Sequence, residues 1–147
     1  MITYKVTVED NGTTRWFNEN GKLHRLDGPA VEWPDGDKEW CQNGKLHRLD
    51  GAAVEYSNGS KEWWVNGQRH RLDGPAVEWP DGTKMWYQNG LYHRLDGPAV
   101  EYADGYKEWW VEDKQYSEEQ FLAKIESMNR PCNGKKVTVE GVEYTLA

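Results

Sequence analysis

LHRLDGPAVEW, residues 23–33, returns as LHRLDGAAVEY at 46–56, RHRLDGPAVEW at 69–79 and YHRLDGPAVEY at 92–102. The copies keep one ruler. His24, His47, His70 and His93 step by 23 residues, and Asp27, Asp50, Asp73 and Asp96 step with them. Val31, Val54, Val77 and Val100 follow, as do Gly36, Gly59, Gly82 and Gly105. Lys38, Lys61, Lys84 and Lys107 precede Trp40, Trp63, Trp86 and Trp109 by two places each time. A period in this range marks stacked units, none of which buries its apolar face alone.

Inside one unit every local signal is β. AVEW (30–33) alternates in character, and PDG (34–36) is a turn, with Pro set for the first corner and Gly for the left-handed position. DKEWCQ (37–42) reads as a second strand, Asn43-Gly44 as a type I′ hairpin turn, and KLHR (45–48) as a short third strand. Asn66-Gly67 and Asn89-Gly90 repeat the turn; Glu112-Asp113 replaces it, so the pattern is expected to stop there. A degraded unit runs through NGTTRW (11–16), its Trp16 one residue out of phase. If PDG closes a three-residue loop, Glu32 faces Lys38, and Glu55, Glu78 and Glu101 face Lys61, Lys84 and Lys107. Each such pair contributes roughly 0.2–1 kcal/mol. Across the Asn-Gly turn, Trp40 faces His47.

Composition agrees with a folded β array. Only 37% of the 147 residues are hydrophobic, but nine Trp, eight Tyr and two Phe are among them. Each buried aromatic removes roughly 150–250 Å² from water, so a thin aromatic core replaces many aliphatics. The net charge of −7, with both signs interspersed, argues against a duplex-nucleic-acid binder. No stretch approaches a membrane span, and MITYKVTVED lacks the apolar region of a signal peptide. The expected location is a cytoplasm, where Cys41 and Cys132 stay as free thiols.

The repeat unit, as in WCQNGKLHRLDGAAVEYSNGSKEW (40–63), resembles the MORN repeat family in period and glycine spacing. The resemblance covers residues 16–111. It departs from the family where Arg25, Arg48, Arg71 and Arg94 follow the His in place of the usual Gly. The HRLDGPAV form is similar to a variant associated with small proteins of bacteriophages, giant viruses and bacteria. The resemblance implies an elongated antiparallel sheet and a role in scaffolding or protein contact, sometimes lipid contact, without catalysis. The choline-binding repeat shares the Trp, Tyr and Asn-Gly content but not the HRLDGPA segment.

The expected fold is therefore all-β. One domain spans 1–147: an N-terminal cap and degenerate repeat (1–20), MORN-like repeats (21–111), and a C-terminal helix and hairpin cap (112–147). SEEQFLAKIESM (117–128) carries the helix, with Ser117 and Gln120 as a capping box and Phe121, Leu122, Ile125 and Met128 as an apolar stripe. Arg130-Pro131 ends it. KVTVEGVEYTL (136–146) reads as a terminal hairpin, and its KVTVE repeats residues 5–9, so both ends hide sheet edges.

Function is sought in the side chains. Neighbouring strand residues point to opposite faces, so Trp63 and Trp64 lie on different sides, as do Trp86 and Tyr87. One column holds Trp64, Tyr87 and Trp110, thickened by Trp33, Tyr56, Trp79 and Tyr102; the other holds Trp40, Trp63, Trp86 and Trp109 with the histidines and Glu–Lys pairs. The C-terminal segment is a candidate cover for one of them. His-x-x-Asp invites a metal, but ligands 23 residues apart stand roughly 10 Å from one another, too far for one zinc. No Ser or Cys recurs with the His, so nucleophilic catalysis has no sequence support.

Identical positions build the sheet, while variable aromatic ones supply a specific surface. Trp33, Tyr56, Trp64, Arg69, Trp79, Tyr87, Tyr92 and Trp110 are the candidate contact residues, with no catalytic residue, metal or cofactor. The expected function is a non-catalytic interaction module binding a protein, such as a host or defence protein inhibited by a virus-encoded chain. A second copy of the chain is a further candidate partner. The alternative is a small-ligand binder, in which Arg48, sharing a face with Cys41 and Trp33, helps hold a nucleotide or sugar.

Overall fold

The computed structural model describes residues 3–130, 136–139 and 142–145. The described residues form an array of antiparallel strands with one helix. Eleven strands pair in one sheet, in the order Lys5–Val8, Thr14–Phe17, Val31–Glu32, Lys38–Glu39, Val54–Glu55, Lys61–Glu62, Val77–Glu78, Lys84–Met85, Val100–Glu101, Lys107–Val111 and Lys114–Tyr116. Each full unit gives this sheet two strands, then a side hairpin, such as Cys41–Gln42 with Lys45–Leu46. Backbone N–H groups of Arg48 and Gly67 donate to Trp64 and Leu46 carbonyls, so successive hairpins are bonded to one another.

The turns fix the register. Trp33 N–H donates to the Asp37 carbonyl and Gly36 takes φ +99°, which makes Pro34-Asp35-Gly36 a three-residue loop. Asp35, Asn58, Asp81 and Asp104 each accept the N–H two residues on. Asn43, Asn66 and Asn89 share φ 52°, followed by Gly at φ 80°, as a type I′ turn requires. Glu112 (φ 52°) and Asp113 (φ 60°) adopt the same turn without glycine. The expected stop at this point is therefore overturned: Lys114–Tyr116 completes a hairpin with the preceding strand. Tyr92 N–H donates to Asp113 Oδ1, a bond that helps hold the strained corner.

The phase slip at Trp16 has a simple cause. Asn18 N–H donates to the Lys22 carbonyl across a loop one residue longer than Asn-Gly. That residue is absorbed there, and His24 N–H still donates to Trp16 as His47 does to Trp40.

Glu32, Glu55, Glu78 and Glu101 stand opposite Lys38, Lys61, Lys84 and Lys107, as the three-residue loop demands. Between units Lys38 also faces Glu55 and Lys84 faces Glu101, so charge alternates along the sheet. The close ion pairs of these glutamates are nevertheless made with arginine, described below. On the other face Val31, Val54, Val77 and Val100 are at most 3% exposed. Tyr87, Trp63, Met85 and Tyr92 gather around Ala76 and Val77 as core.

Ser117 caps the helix Glu118–Asn129 with the full capping box. The helix packs on the last two strands of the main sheet. Lys124 Nζ lies 5.6 Å from the Tyr116 ring, and Tyr116 is the cross-strand partner of Trp109. The helix thus sits on the Trp109 side at one end of the array. Its expected stripe is only partly used: Phe121 is buried, whereas Leu122 and Met128 are more than half exposed. Lys136–Val139 and Val142–Thr145 form the expected hairpin as a separate two-stranded sheet. Pro131 and Cys132 lie outside the described residues.

Candidate interaction surfaces

The repeated HRLDG segment is built around its arginine. Arg71 Nε donates to Asp73 Oδ1 at 2.9 Å, and its Nη1 donates to the Pro75 carbonyl and Glu78 Oε1. The guanidinium carbon lies 4.0 Å from the centroid of Trp63. Its other side lies against Gly74, where an added Cβ would fall 2.9 Å from that carbon. Arg25, Arg48 and Arg94 repeat this sandwich on Trp16, Trp40 and Trp86. The arginine holds Asp50, Asp73 and Asp96 below the usual carboxylate range, chiefly by hydrogen bonding.

This arrangement corrects the expected Arg48–Cys41–Trp33 grouping. Strand alternation ends at Leu46, the chain turns, and Arg48 swings over Trp40 on the opposite face. Its donors are committed to Asp50, Ala52 and Glu55. The histidines hold turns in place. Nδ1 of His24, His47, His70 and His93 accepts the backbone N–H of Asn43, Asn66, Asn89 and Glu112 in the next unit.

On the valine face, cross-strand pairs Trp64–Arg69 and Tyr87–Tyr92 join Trp110 in a continuous strip. Arg69 lies 5.0 Å from the Trp64 ring and 5.5 Å from Tyr87. Tyr92 follows at 4.2 Å from Tyr87 and stacks on Trp110 at 5.4 Å. Glu62 anchors one end, accepting from Trp64 Nε1 and from Arg69. Glu108 does the same for Trp110 and also accepts from the Tyr102 hydroxyl. Tyr56 and Trp79 line a depression of about 540 Å³ with Glu62 at its side.

Most of the candidate residues are thus brought together, though not in equal roles. Tyr56 and Trp79 are 39% and 45% exposed; Trp33, Trp64, Arg69, Tyr92 and Trp110 are half-buried. Tyr87 is 6% exposed, so it belongs to the core and not to a contact surface. Burial pushes its phenol upward, and likewise raises the Cys41 thiol to about 12, which leaves that sulfur unreactive in the folded chain.

The opposite face holds a feature the sequence reading passed over. Leu26, Leu49, Leu72 and Leu95 are 52%, 81%, 75% and 40% exposed. Between successive leucines run three grooves of about 610, 640 and 570 Å³. Trp40, Trp63 and Trp86 line them in turn, together with His47, His70 and His93. The signal was available: one leucine recurs in every HRLDG loop, where no strand pairing demands it.

Among the described residues, no helix is long and apolar enough to cross a membrane. Comparison with family models gives no match, and comparison with curated proteins finds no relative.

Proposed function

We propose that the chain is a non-catalytic protein-interaction module that presents its valine-face aromatic strip to a protein partner. One observation carries this reading: Tyr56 and Trp79 are exposed beside the strip running from Trp64 through Arg69 and Tyr92 to Trp110. Half-exposed Trp and Tyr with an arginine among them is the composition of interface hot spots. The MORN resemblance supports the same role. A host or defence protein inhibited by a virus-encoded chain is the more specific form of the proposal. A nucleotide-sequestering role has less support, because the repeated guanidiniums already donate to carboxylates and carbonyls.

The test is affinity capture with the wild-type chain and a Tyr56→Ala, Trp79→Ala variant. The expected result is one stoichiometric protein partner, lost by the variant while its circular dichroism is unchanged. A partner held equally by both proteins, or a small molecule released on denaturation of the wild type, would overturn the reading.

A further inference from the structure

The second surface is the leucine ladder on the Trp63 face, and it is independent of the aromatic strip. We propose that this ladder is a docking track for a proline-rich, basic segment in the polyproline II conformation, one turn of ligand per repeat.

The pitch of the ladder selects its occupant. Each repeat contributes two strands to the main sheet, and strands lie roughly 4.7–4.9 Å apart, so equivalent loops recur about every 9.6 Å. A polyproline II helix has three residues per turn and rises about 3.1 Å each, giving about 9.3 Å per turn. An α-helix returns to the same face after seven residues, about 10.5 Å. From Leu26 to Leu95 there are three steps. Over them polyproline II falls short by about 1 Å, while the α-helix overshoots by nearly 3 Å, with ladder and ligand rises as above. A β-strand repeats its facing side chains every two residues, about 6.7 Å, which matches no simple step of the ladder.

The chemistry of the grooves agrees. Each groove is lined by a Trp and by the exposed leucines of two successive repeats, and proline-rich segments dock in aromatic-lined grooves. Residues i, i+3 and i+6 of the ligand enter the three grooves. At the rim the exposed member of each ion pair is the carboxylate. Asp50, Asp73 and Asp96 side chains are 86%, 86% and 85% exposed, while their arginines are only 20–23% exposed. The ladder therefore turns negative charge toward an approaching chain, and Lys or Arg at the ligand's intervening positions complements it.

The probe is a synthetic peptide of four Pro-Lys-Ala repeats, titrated against the full chain by Trp fluorescence and by amide chemical shifts. Saturable binding is expected, with shifts at the HRLDG loops and weakening as salt rises. Leu49→Lys, Leu72→Lys is expected to weaken it at least about tenfold, because two apolar contacts become bases that repel the lysines of the peptide. Both leucines are exposed, so the variant keeps the wild-type melting temperature. The Tyr56→Ala, Trp79→Ala variant is expected to bind the peptide like wild type, which separates this proposal from the aromatic strip. Absence of saturable binding would overturn it. So would equal binding by a peptide with proline at every fourth position, tighter binding by a Leu/Lys heptad helix, or indifference to the leucine substitutions.

Discussion

At the residue scale, the arginine sandwich explains why HRLDG is copied so faithfully. Gly74 does not take a positive φ, so its backbone would accept alanine. What excludes a Cβ is the Arg71 guanidinium 2.9 Å away. That end of the side chain is flexible in principle, but here it is pinned by Trp63, Asp73, Glu78 and the Pro75 carbonyl. Gly74→Ala is therefore expected to cost roughly 1–2 kcal/mol, the loss of a cation–π contact and strained hydrogen bonds. In an Arg71→Ala background the same substitution is expected to cost almost nothing, read as a double-mutant cycle in urea. An equal cost in both backgrounds would mean that the glycine serves the backbone instead. The stack of Arg25 on Trp16 was not legible from sequence, because it needs the chain to turn after Leu23 and abandon strand alternation.

At the element scale, strand pairing was legible because turn chemistry leaves little freedom. Pro34-Asp35-Gly36 and Asn43-Gly44 each admit one loop length, and loop length sets register. The last turn misled because its side chains disfavour the geometry its backbone adopts. Glu112 holds φ 52° where the other units place asparagine, and a left-handed non-glycine residue costs roughly 1–2 kcal/mol, less for asparagine. Glu112→Asn is expected to raise stability by about 0.5–1 kcal/mol, measured by thermal or urea unfolding. Asp113→Gly is expected to gain less, because it removes the 2.6 Å bond from Tyr92 N–H. A larger gain from the glycine variant would show that this bond contributes little. The helix was legible through its capping box. Its covered face was not, because burial at Phe121 depends on which strands end beside it.

At the scale of the whole molecule, units bond chiefly to their neighbours, so stability approximates a sum of unit and interface terms. Lys38 pairs with Glu55 just as Lys84 pairs with Glu101, and each His bonds the next unit's turn, so the units' main joints are interchangeable. Excision of residues 70–92 should then join Arg69 to His93 in the register that Tyr92 now occupies. The shortened chain is expected to fold cooperatively, with a lower melting temperature and a smaller urea m-value, since less surface is exposed on unfolding. It also loses Tyr87 and Tyr92 from the aromatic strip and one of the three grooves between leucines. The two surfaces respond differently. The strip is built from variable residues, so removing its middle is expected to abolish capture of a specific protein. The ladder is built from identical ones, so the Pro-Lys-Ala peptide is expected to bind still, more weakly, through the remaining two grooves. An unfolded product would contradict the interchangeable joints; a folded product that keeps the protein partner but loses the peptide would reverse the roles of the two faces.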